Sequence, residues 1–301
     1  MSVRRSARSA AVVLAVVSGL LAAVLAPAGA ASAAPRPAAP APVTALWVWD
    51  TATPDATLAL ARRQRVTTLL VHVVPDVTAK PAELAALRAL VGRARTAGLK
   101  VEAVGGAPDW PQVSSWVVAH WLRPALMAAT FDAVQLDVEP YLDPTWTTDR
   151  ARAVAGFLSL LRTVDSATKL PLHAAVPFWF DQVPTATGES LARAVARVAP
   201  QVTVMAYRSA LDGGNGLLAL AEGTLRELQA GGGTGLVGVE TLPIAEEDGG
   251  AALTFADDGL PALLSALDTV RRTFSASTSP VRSAYAGVAV HDVEGWAALG
   301  G

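Results

Sequence analysis

Short apolar segments alternate with longer amphipathic ones along most of the chain. TALWVWD (44–50) and VTTLLVHVV (66–74) are short and rich in branched or aromatic residues, which is typical of buried strands. The segment PAELAALRALVGRARTAG (81–98) instead has apolar residues at helical spacing, with Pro at its start and Gly at its end. The short apolar segments are therefore predicted to be strands, and the longer amphipathic segments are predicted to be helices.

The same alternation continues to the end of the chain. Six further strands are predicted in LKVEAVGG (99–106), FDAVQLDVE (131–139), LPLHAAVPFWF (170–180), QVTVMAYR (201–208), GLVGVET (235–241) and YAGVAVHDVEGW (285–296). Strand–helix alternation predicts a parallel sheet with right-handed crossovers. Eight such units in about 250 residues favour a closed (β/α)8 TIM barrel of the α/β class over an open doubly wound sheet. No GxGxxG follows the first strand, which argues against a dinucleotide-binding fold.

The N-terminus does not follow this alternation. Basic residues precede an apolar run at 10–26, and small residues follow Pro27, which predicts a secretory signal peptide over 1–33. A Pro/Ala-rich tether is predicted over 34–43, and a single barrel domain over 44–301. We therefore expect a secreted, extracellular protein with no membrane segment after signal cleavage.

Composition narrows the possible chemistry. The chain has no cysteine, which excludes disulfides and thiolate chemistry. With 24 basic and 26 acidic residues its formal net charge is −2, and no basic cluster follows the signal peptide, so nucleic acid is not an expected partner. No ligand spacing predicts a metal site. We expect a monomer without cofactor or metal.

The fourth predicted strand carries a row of polar residues on one face. Gln135, Asp137 and Glu139 alternate with branched apolar residues. Strand residues in a barrel alternate between the interior and the outer helices, so these three side chains are predicted to point inward. Buried carboxylates are costly unless they are paired or hydrogen-bonded, and barrel active sites lie at the C-terminal ends of the strands. The row indicates an active site, or alternatively a structural polar network around Asp137.

The same residues carry a resemblance to a known family. Asp132, Gln135, Asp137 and Glu139 match the DxxDxDxE motif of family 18 glycoside hydrolases, the chitinase-like barrels, with Gln at the second position. Gly105–Gly106 resembles the SxGG motif of that family. HAAVP (173–177) is similar to its fifth strand, and Met-Ala-Tyr at 205–207 to its sixth-strand MxYD.

The resemblance implies specific roles. Glu139 would be the general acid, Asp137 would orient the substrate's acetamido group for its own attack on the anomeric carbon, and Tyr207 would support that group. The chain departs from the family at Gln135, where a carboxylate usually partners the Asp, and at Arg208, where Asp or Asn usually follows the Tyr.

A second interpretation comes from retaining glycosidases with glutamates on strands 4 and 7. Glu139 ends strand 4 and Glu240 ends strand 7. Two carboxyls about 5 to 5.5 Å apart suit a retaining displacement. We therefore predict that Glu240 faces Glu139 across the pocket. Arg208, which ends strand 6 between them, would stabilise a carboxylate by its charge.

Both interpretations predict a glycoside hydrolase-like protein that cleaves a glycosidic bond in an oligo- or polysaccharide. The alternative is a catalytically inactive barrel that only binds glycan. Candidate catalytic residues are Glu139, Asp137, Glu240 and Tyr207. Candidate substrate-binding residues are Gln135, Arg208, Trp49, Asp50, Trp179, His291 and Trp296.

Overall fold

The computed structural model describes residues 42–300 and contains eight parallel strands. The strands are β1 (Val43–Val48), β2 (Thr68–His72), β3 (Lys100–Gly105), β4 (Ala133–Leu136), β5 (Leu172–Pro177), β6 (Gln201–Met205), β7 (Thr234–Glu240) and β8 (Tyr285–His291). Each strand pairs with the next in the chain, and β8 pairs with β1, so that the sheet closes. The predicted (β/α)8 barrel is confirmed.

Helices connect the strands on the outside of the barrel. They are α1 (Pro54–Arg63), α2 (Pro81–Thr96), α3 (Ser114–Trp116), α4 (Arg123–Ala128), α5 (Thr145–Thr148), α6 (Arg150–Ala167), α7 (Leu191–Ala196), α8 (Leu217–Gly231), α9 (Gly259–Ser275) and α10 (Val293–Ala298). A π-helical segment, Val117–Leu122, joins α3 to α4, and Pro124 lies just beyond it. Pro lacks an N–H, which explains a change of hydrogen-bond register at this point. Within residues 42–300, no helix has both the length and the apolar character needed to cross a bilayer.

Element boundaries differ from the prediction mainly at the C-terminal ends of the strands. β4 ends at Leu136, so Asp137 and Glu139 lie just past the strand, and Pro140 begins a 3-10 turn. β1 begins at Val43, one residue inside the predicted tether. The signal peptide and residues 34–41 of the tether lie outside the described residues.

Apolar side chains fill two layers that are separated by the barrel wall. Val134, Leu136 and Val138 belong to the large core between the strands and the helices. Trp47 and Leu236 belong to a smaller cluster inside the barrel. The alternate residues of the β4 segment are therefore turned to the barrel interior, as the two-residue period of the sequence predicts.

Two glycines allow the end of β3 to approach its neighbours closely. A Cβ at Gly105 would overlap the Trp121 indole, and a Cβ at Gly106 would overlap the backbone carbonyl of Asp137. The Asp137 N–H donates to the Gly105 carbonyl at 3.0 Å. The Gly105–Gly106 pair therefore fixes the position from which Asp137 enters the pocket.

Candidate active site

A pocket with a volume of about 370 Å³ opens at the C-terminal end of the barrel, where residues from six of the eight strand ends meet. Its lining consists of Trp49, Gly106, Ala107, Pro108, Asp137, Glu139, Leu142, Met205, Tyr207, Glu240 and His291. Six of the eleven residues predicted from the sequence line it. They are Trp49, Asp137, Glu139, Tyr207, Glu240 and His291. Among the described residues, no cluster of three His, Asp or Glu side chains has the arrangement of a metal site.

The polar row of the β4 segment runs from the barrel interior into this pocket. Gln135 is buried and accepts a hydrogen bond from the Thr203 hydroxyl at 3.3 Å, below the pocket. Asp137 accepts one from the Trp47 indole N–H at 3.2 Å. Glu139 accepts one from the Tyr141 hydroxyl. Each member of the row therefore has its own neutral hydrogen-bond donor.

Asp137 occupies an environment that opposes its ionisation. Burial, followed by the negative charge of Glu139, raises its pKa to about 6. Interaction with His291 and the hydrogen bond from Trp47 oppose this rise but do not cancel it. Asp137 can therefore gain or lose a proton close to neutral pH, as acid–base chemistry requires.

Tyr141 is held beside Glu139 by an aromatic cluster. Its ring centroid lies 5.1 Å from that of Trp179, 6.3 Å from Phe180 and 6.4 Å from Trp146. Burial and the negative charge of Glu139 raise the pKa of Tyr141 above its usual range. The hydroxyl therefore stays protonated and can act only as a donor to Glu139, which fixes that carboxyl in one orientation.

Glu240 is buried at the end of β7 with both oxygens engaged. One oxygen, Oε1, accepts the backbone N–H groups of Thr241 and Leu242, each at 2.8 Å. The other, Oε2, lies 2.8 Å from His291 Nδ1. On its opposite side, His291 Nε2 accepts the Trp49 indole N–H at 2.7 Å. Burial lowers the pKa of His291, but Glu240, Asp292 and Asp137 outweigh that effect and raise it.

Tyr207 lines the pocket between the acidic groups. Burial raises its pKa well above the usual range, and the negative charges of Glu240, Asp137 and Glu139 add to the effect. Its ring centroid lies 6.3 Å from that of His291. Tyr207 is therefore a neutral hydroxyl, able to donate a hydrogen bond to a ligand in the pocket.

Arg208 lies outside the pocket lining, contrary to the prediction. Its guanidinium donates to the Tyr207 carbonyl at 2.6 Å and to Asn215 Oδ1 at 3.0 Å, and it stacks on the Phe178 ring at 5.3 Å. None of the described ion pairs joins it to Glu240. These local contacts hold Arg208 in the loop after β6. The prediction that Arg208 stabilises a pocket carboxylate is therefore wrong.

Four other predicted substrate-binding residues also lie outside the pocket lining. Trp296 is only 1% exposed and packs in the core beneath α10, because Gly295 lets that helix fit against Thr241. Asp50 is exposed and accepts the Ala52 N–H in a turn at 2.8 Å. Gln135 is buried below the pocket, and Trp179 packs against Tyr141 with ring centroids 5.1 Å apart.

Trp47 and Tyr141 are not among the predicted site residues, although each donates a hydrogen bond to a carboxylate of the β4 row. Tyr141 is two residues beyond Glu139, but the 3-10 turn that brings it back to Glu139 has no clear sequence signal. Trp47 is 90 residues away from Asp137 in the chain. Trp47 and Asp137 come together only because the barrel closes, which places the ends of β1 and β4 around one interior.

No protein-family model matches this chain, and no curated protein does either. Similar structures have nevertheless been solved. A chitinase from Chromobacterium violaceum ATCC 12472 is 17% identical with a TM-score of 0.54, over 86% of this chain and 98% of the chitinase. A GH18 chitinase from Pseudoalteromonas aurantia is 10% identical with a TM-score of 0.52, over 83% and 93% of the two chains.

A GH113 beta-1,4-mannanase is also similar, with 12% identity and a TM-score of 0.50 over 84% of this chain and 87% of the mannanase. At these identities the similarity shows the fold. Because two kinds of glycoside hydrolase share that fold, it does not select between their mechanisms. The resemblance to the chitinase-like barrels that the sequence predicts is confirmed at the level of the fold.

Proposed function

We propose that this protein hydrolyses a glycosidic bond in an oligo- or polysaccharide, with Glu139 as the general acid. The observation that carries the proposal is the pair Asp137 and Glu139 in one pocket at the C-terminal end of the barrel. Barrel enzymes place their reacting groups at this end, and paired carboxylates are the usual groups for glycoside hydrolysis. Similarity of fold to chitinases and to a mannanase supports the same class of reaction.

Glu139 is suited to the first proton transfer. The Tyr141 hydroxyl occupies Oε1, which leaves Oε2 to carry the transferable proton. In the reaction this proton passes to the glycosidic oxygen as its bond to the anomeric carbon breaks, and the leaving sugar departs as a neutral alcohol. The negative charges of Asp137 and Glu240 are available to stabilise the positive charge that develops on the ring.

The group that attacks the anomeric carbon is the point on which the two mechanisms differ. In the substrate-assisted route, an acetamido oxygen of the substrate attacks, with Asp137 and Tyr207 orienting that group, and water then opens the intermediate. In the two-glutamate route, Glu240 attacks. The hydrogen bonds that already engage Glu240 Oε1, and the contact of Oε2 with His291, favour the substrate-assisted route.

The charge of the pocket bears on the class of sugar. Asp137, Glu139 and Glu240 contribute carboxyl groups, and the residues that line the pocket include no Lys or Arg. An anionic sugar, such as a uronic acid, would meet three carboxyl groups, with only His291 to offset their charge. The proposed substrate is therefore a neutral or N-acylated glycan.

Glycan binding without catalysis is the second candidate. Two departures from the chitinase-like pattern favour it. Gln135, in the place of a carboxylate partner for Asp137, is hydrogen-bonded through its side-chain oxygen to Thr203 and not to Asp137. Arg208, in the place of an Asp or Asn, is held in a loop by Asn215. A barrel with these changes that retained sugar affinity but no turnover would fit this candidate.

Incubation of the purified protein with a panel of neutral polysaccharides, with release of reducing ends as the readout, separates the two candidates. We expect wild-type protein to release reducing ends from at least one polysaccharide and Glu139→Gln to lose at least 10³-fold in rate. Glu83→Gln, which changes an exposed glutamate on α2, is the matched control and should keep full activity. Binding without release by wild-type protein would support the second candidate and contradict the first.

We also propose that the protein is secreted, on the basis of the signal-peptide pattern at 1–33. Cleavage after Ala30 or Ala33 is expected, so the mature protein would begin at Ala31 or Ala34. Mass spectrometry of the protein recovered from culture medium measures this N-terminus. Retention of the full-length chain inside the cell would contradict the proposal.

A further inference from the structure

Trp49 combines exposure with fixation at the rim of the pocket. Its side chain is 39% exposed and lines the pocket, yet its indole N–H donates to His291 Nε2 at 2.7 Å. The ring also lies 5.3 Å from the ring of His72 and 5.7 Å from that of His291. An indole held by its polar edge, with apolar surface left open, suits a ligand that presents an apolar face of its own.

The hydrogen bond from Trp49 determines which nitrogen of His291 carries the proton. Indole N–H is a donor only, so Nε2 of His291 must accept, and the proton of the neutral ring lies on Nδ1. Nδ1 is 2.8 Å from Glu240 Oε2, a close polar contact whose geometry is not that of a hydrogen bond. The three side chains therefore form one series of contacts from Trp49 through His291 to Glu240.

The backbone that carries this chain is fixed on both strands. Glu240 and His291 are paired in register at the ends of β7 and β8. The Thr241 hydroxyl donates to the His291 carbonyl at 2.7 Å and accepts the Asp292 N–H at 3.0 Å. Side chains supported in this way hold a site residue in one orientation before the ligand binds, which lowers the entropic cost of binding.

We propose that Trp49 is the stacking wall for a pyranose ring in this pocket, and that Glu240 and His291 are the positioning residues that hold it. The inference rests on the proposed glycan substrate. It gives Glu240 a role other than that of nucleophile, and it places the sugar-stacking surface on the β1 loop. His291 then contributes by supporting Trp49 from β8.

The contacts from Trp49 through His291 to Glu240 also predict how low pH affects the position of Trp49. Charged groups that face His291 are Glu240 on β7, Asp137 after β4 and Asp292 on its own element, while the hydroxyl of Tyr207 is neutral. His72 also packs against Trp49, and burial and then the charge of Lys80 lower the pKa of His72. A second proton on His291 would turn Nε2 from acceptor to donor, and Trp49 would then lose its partner.

The first test detects the hydrogen bond without any sugar. In 15N-labelled protein, the indole N–H signal of Trp49, assigned as the signal lost in Trp49→Phe, is expected to be protected from solvent exchange. His291→Leu should abolish that protection, and His291→Gln should restore it, because the Gln amide can accept from Trp49 and donate to Glu240. An unprotected Trp49 signal in wild-type protein, or protection that is unchanged in His291→Leu, would overturn the proposal that His291 holds Trp49.

The second test measures the wall itself in the Glu139→Gln background, where hydrolysis cannot interfere. Calorimetry is done with tetrasaccharides of β-1,4-linked N-acetylglucosamine, glucose and mannose. Trp49→Ala and His291→Leu should each raise Kd at least tenfold, and His291→Gln less than threefold. The double variant Trp49→Ala/His291→Leu should be no weaker than Trp49→Ala alone, because both changes remove one wall. A Kd unchanged in Trp49→Ala would overturn the inference.

Turnover separates this inference from the proposed function. If wild-type protein binds a tetrasaccharide through Trp49 but never hydrolyses it, the wall stands and the proposed hydrolysis fails. If wild-type protein hydrolyses a glycan and azide restores turnover to Glu240→Ala by replacing a missing nucleophile, hydrolysis stands and the positioning role of Glu240 fails. Absence of binding to all three tetrasaccharides would contradict the proposal that Trp49 stacks against a pyranose ring.

Discussion

Replacing Asp137 with Asn should stabilise the protein at neutral pH. The folded protein raises the pKa of Asp137 from 3.8 to about 6, mainly because burial disfavours the charged form. Each pKa unit corresponds to about 1.4 kcal/mol, so the ionised carboxylate costs the folded state about 3 kcal/mol at pH 7.5. Asn removes this charge and keeps an oxygen that can accept the Trp47 N–H.

The sign of the pH dependence follows from the same two pKa values. Between pH 3.8 and about 6 the folded state binds the Asp137 proton more tightly than the unfolded state does. The contribution of this group to stability therefore falls as pH rises through that window. The advantage of Asp137→Asn over wild type should be about 3 kcal/mol at pH 7.5, about 1 kcal/mol at pH 4.5, and close to zero below pH 3.5.

Urea unfolding followed by circular dichroism at pH 4.5 and 7.5 measures these differences. Asp165→Asn is the control, because Asp165 is exposed on α6. Its substitution should change the free energy of unfolding by less than about 0.5 kcal/mol at both pH values. A gain for Asp137→Asn that is absent at pH 7.5, or equal at the two pH values, would refute the argument that burial of this carboxylate costs stability.

Two further predictions concern the neighbours of the carboxylate pair. Tyr141→Phe removes the hydroxyl that donates to Glu139. It should lower kcat about tenfold, which corresponds to about 1.4 kcal/mol, with little change in thermal stability. An unchanged kcat would show that the hydroxyl does not position the acid. Gly106→Ala should lower the unfolding free energy by more than about 2 kcal/mol, because the new Cβ would overlap the Asp137 carbonyl. Gly92→Ala in α2 is the control. Its Cβ would enter open space, so this change should be neutral or stabilising by up to about 1 kcal/mol. Equal effects in the two glycine variants would contradict the close approach of β3 to β4.

Features with a short period in the chain could be predicted from the sequence. Eight repeats of strand and helix give the barrel, because each element has its own local pattern of apolar residues. The two-residue period of Gln135, Asp137 and Glu139 predicts which side of this segment is polar, although β4 itself ends at Leu136. The position of Glu139 before Pro140, just beyond the strand, places it at the C-terminal face of the barrel, where it lines the pocket.

Features that depend on contacts between distant strands could not be predicted in this way. Trp49 and His291 are 242 residues apart, and no local pattern marks a hydrogen bond between them. An aromatic residue just beyond a strand can turn either way, and Trp296 turns into the core while Trp49 turns to the pocket. Arg208 likewise follows the contacts of its own loop and not the charge of the pocket.

Dependence on the leaving group tests the role of Glu139 most directly. A dinitrophenyl group departs without protonation, whereas a sugar alcohol needs a proton from the acid. The measurement compares kcat/KM of wild-type protein and Glu139→Gln on an oligosaccharide and on the matching dinitrophenyl glycoside. We expect a loss of at least 10³-fold on the oligosaccharide and less than tenfold on the dinitrophenyl glycoside. Equal losses on both substrates would contradict general acid catalysis by Glu139.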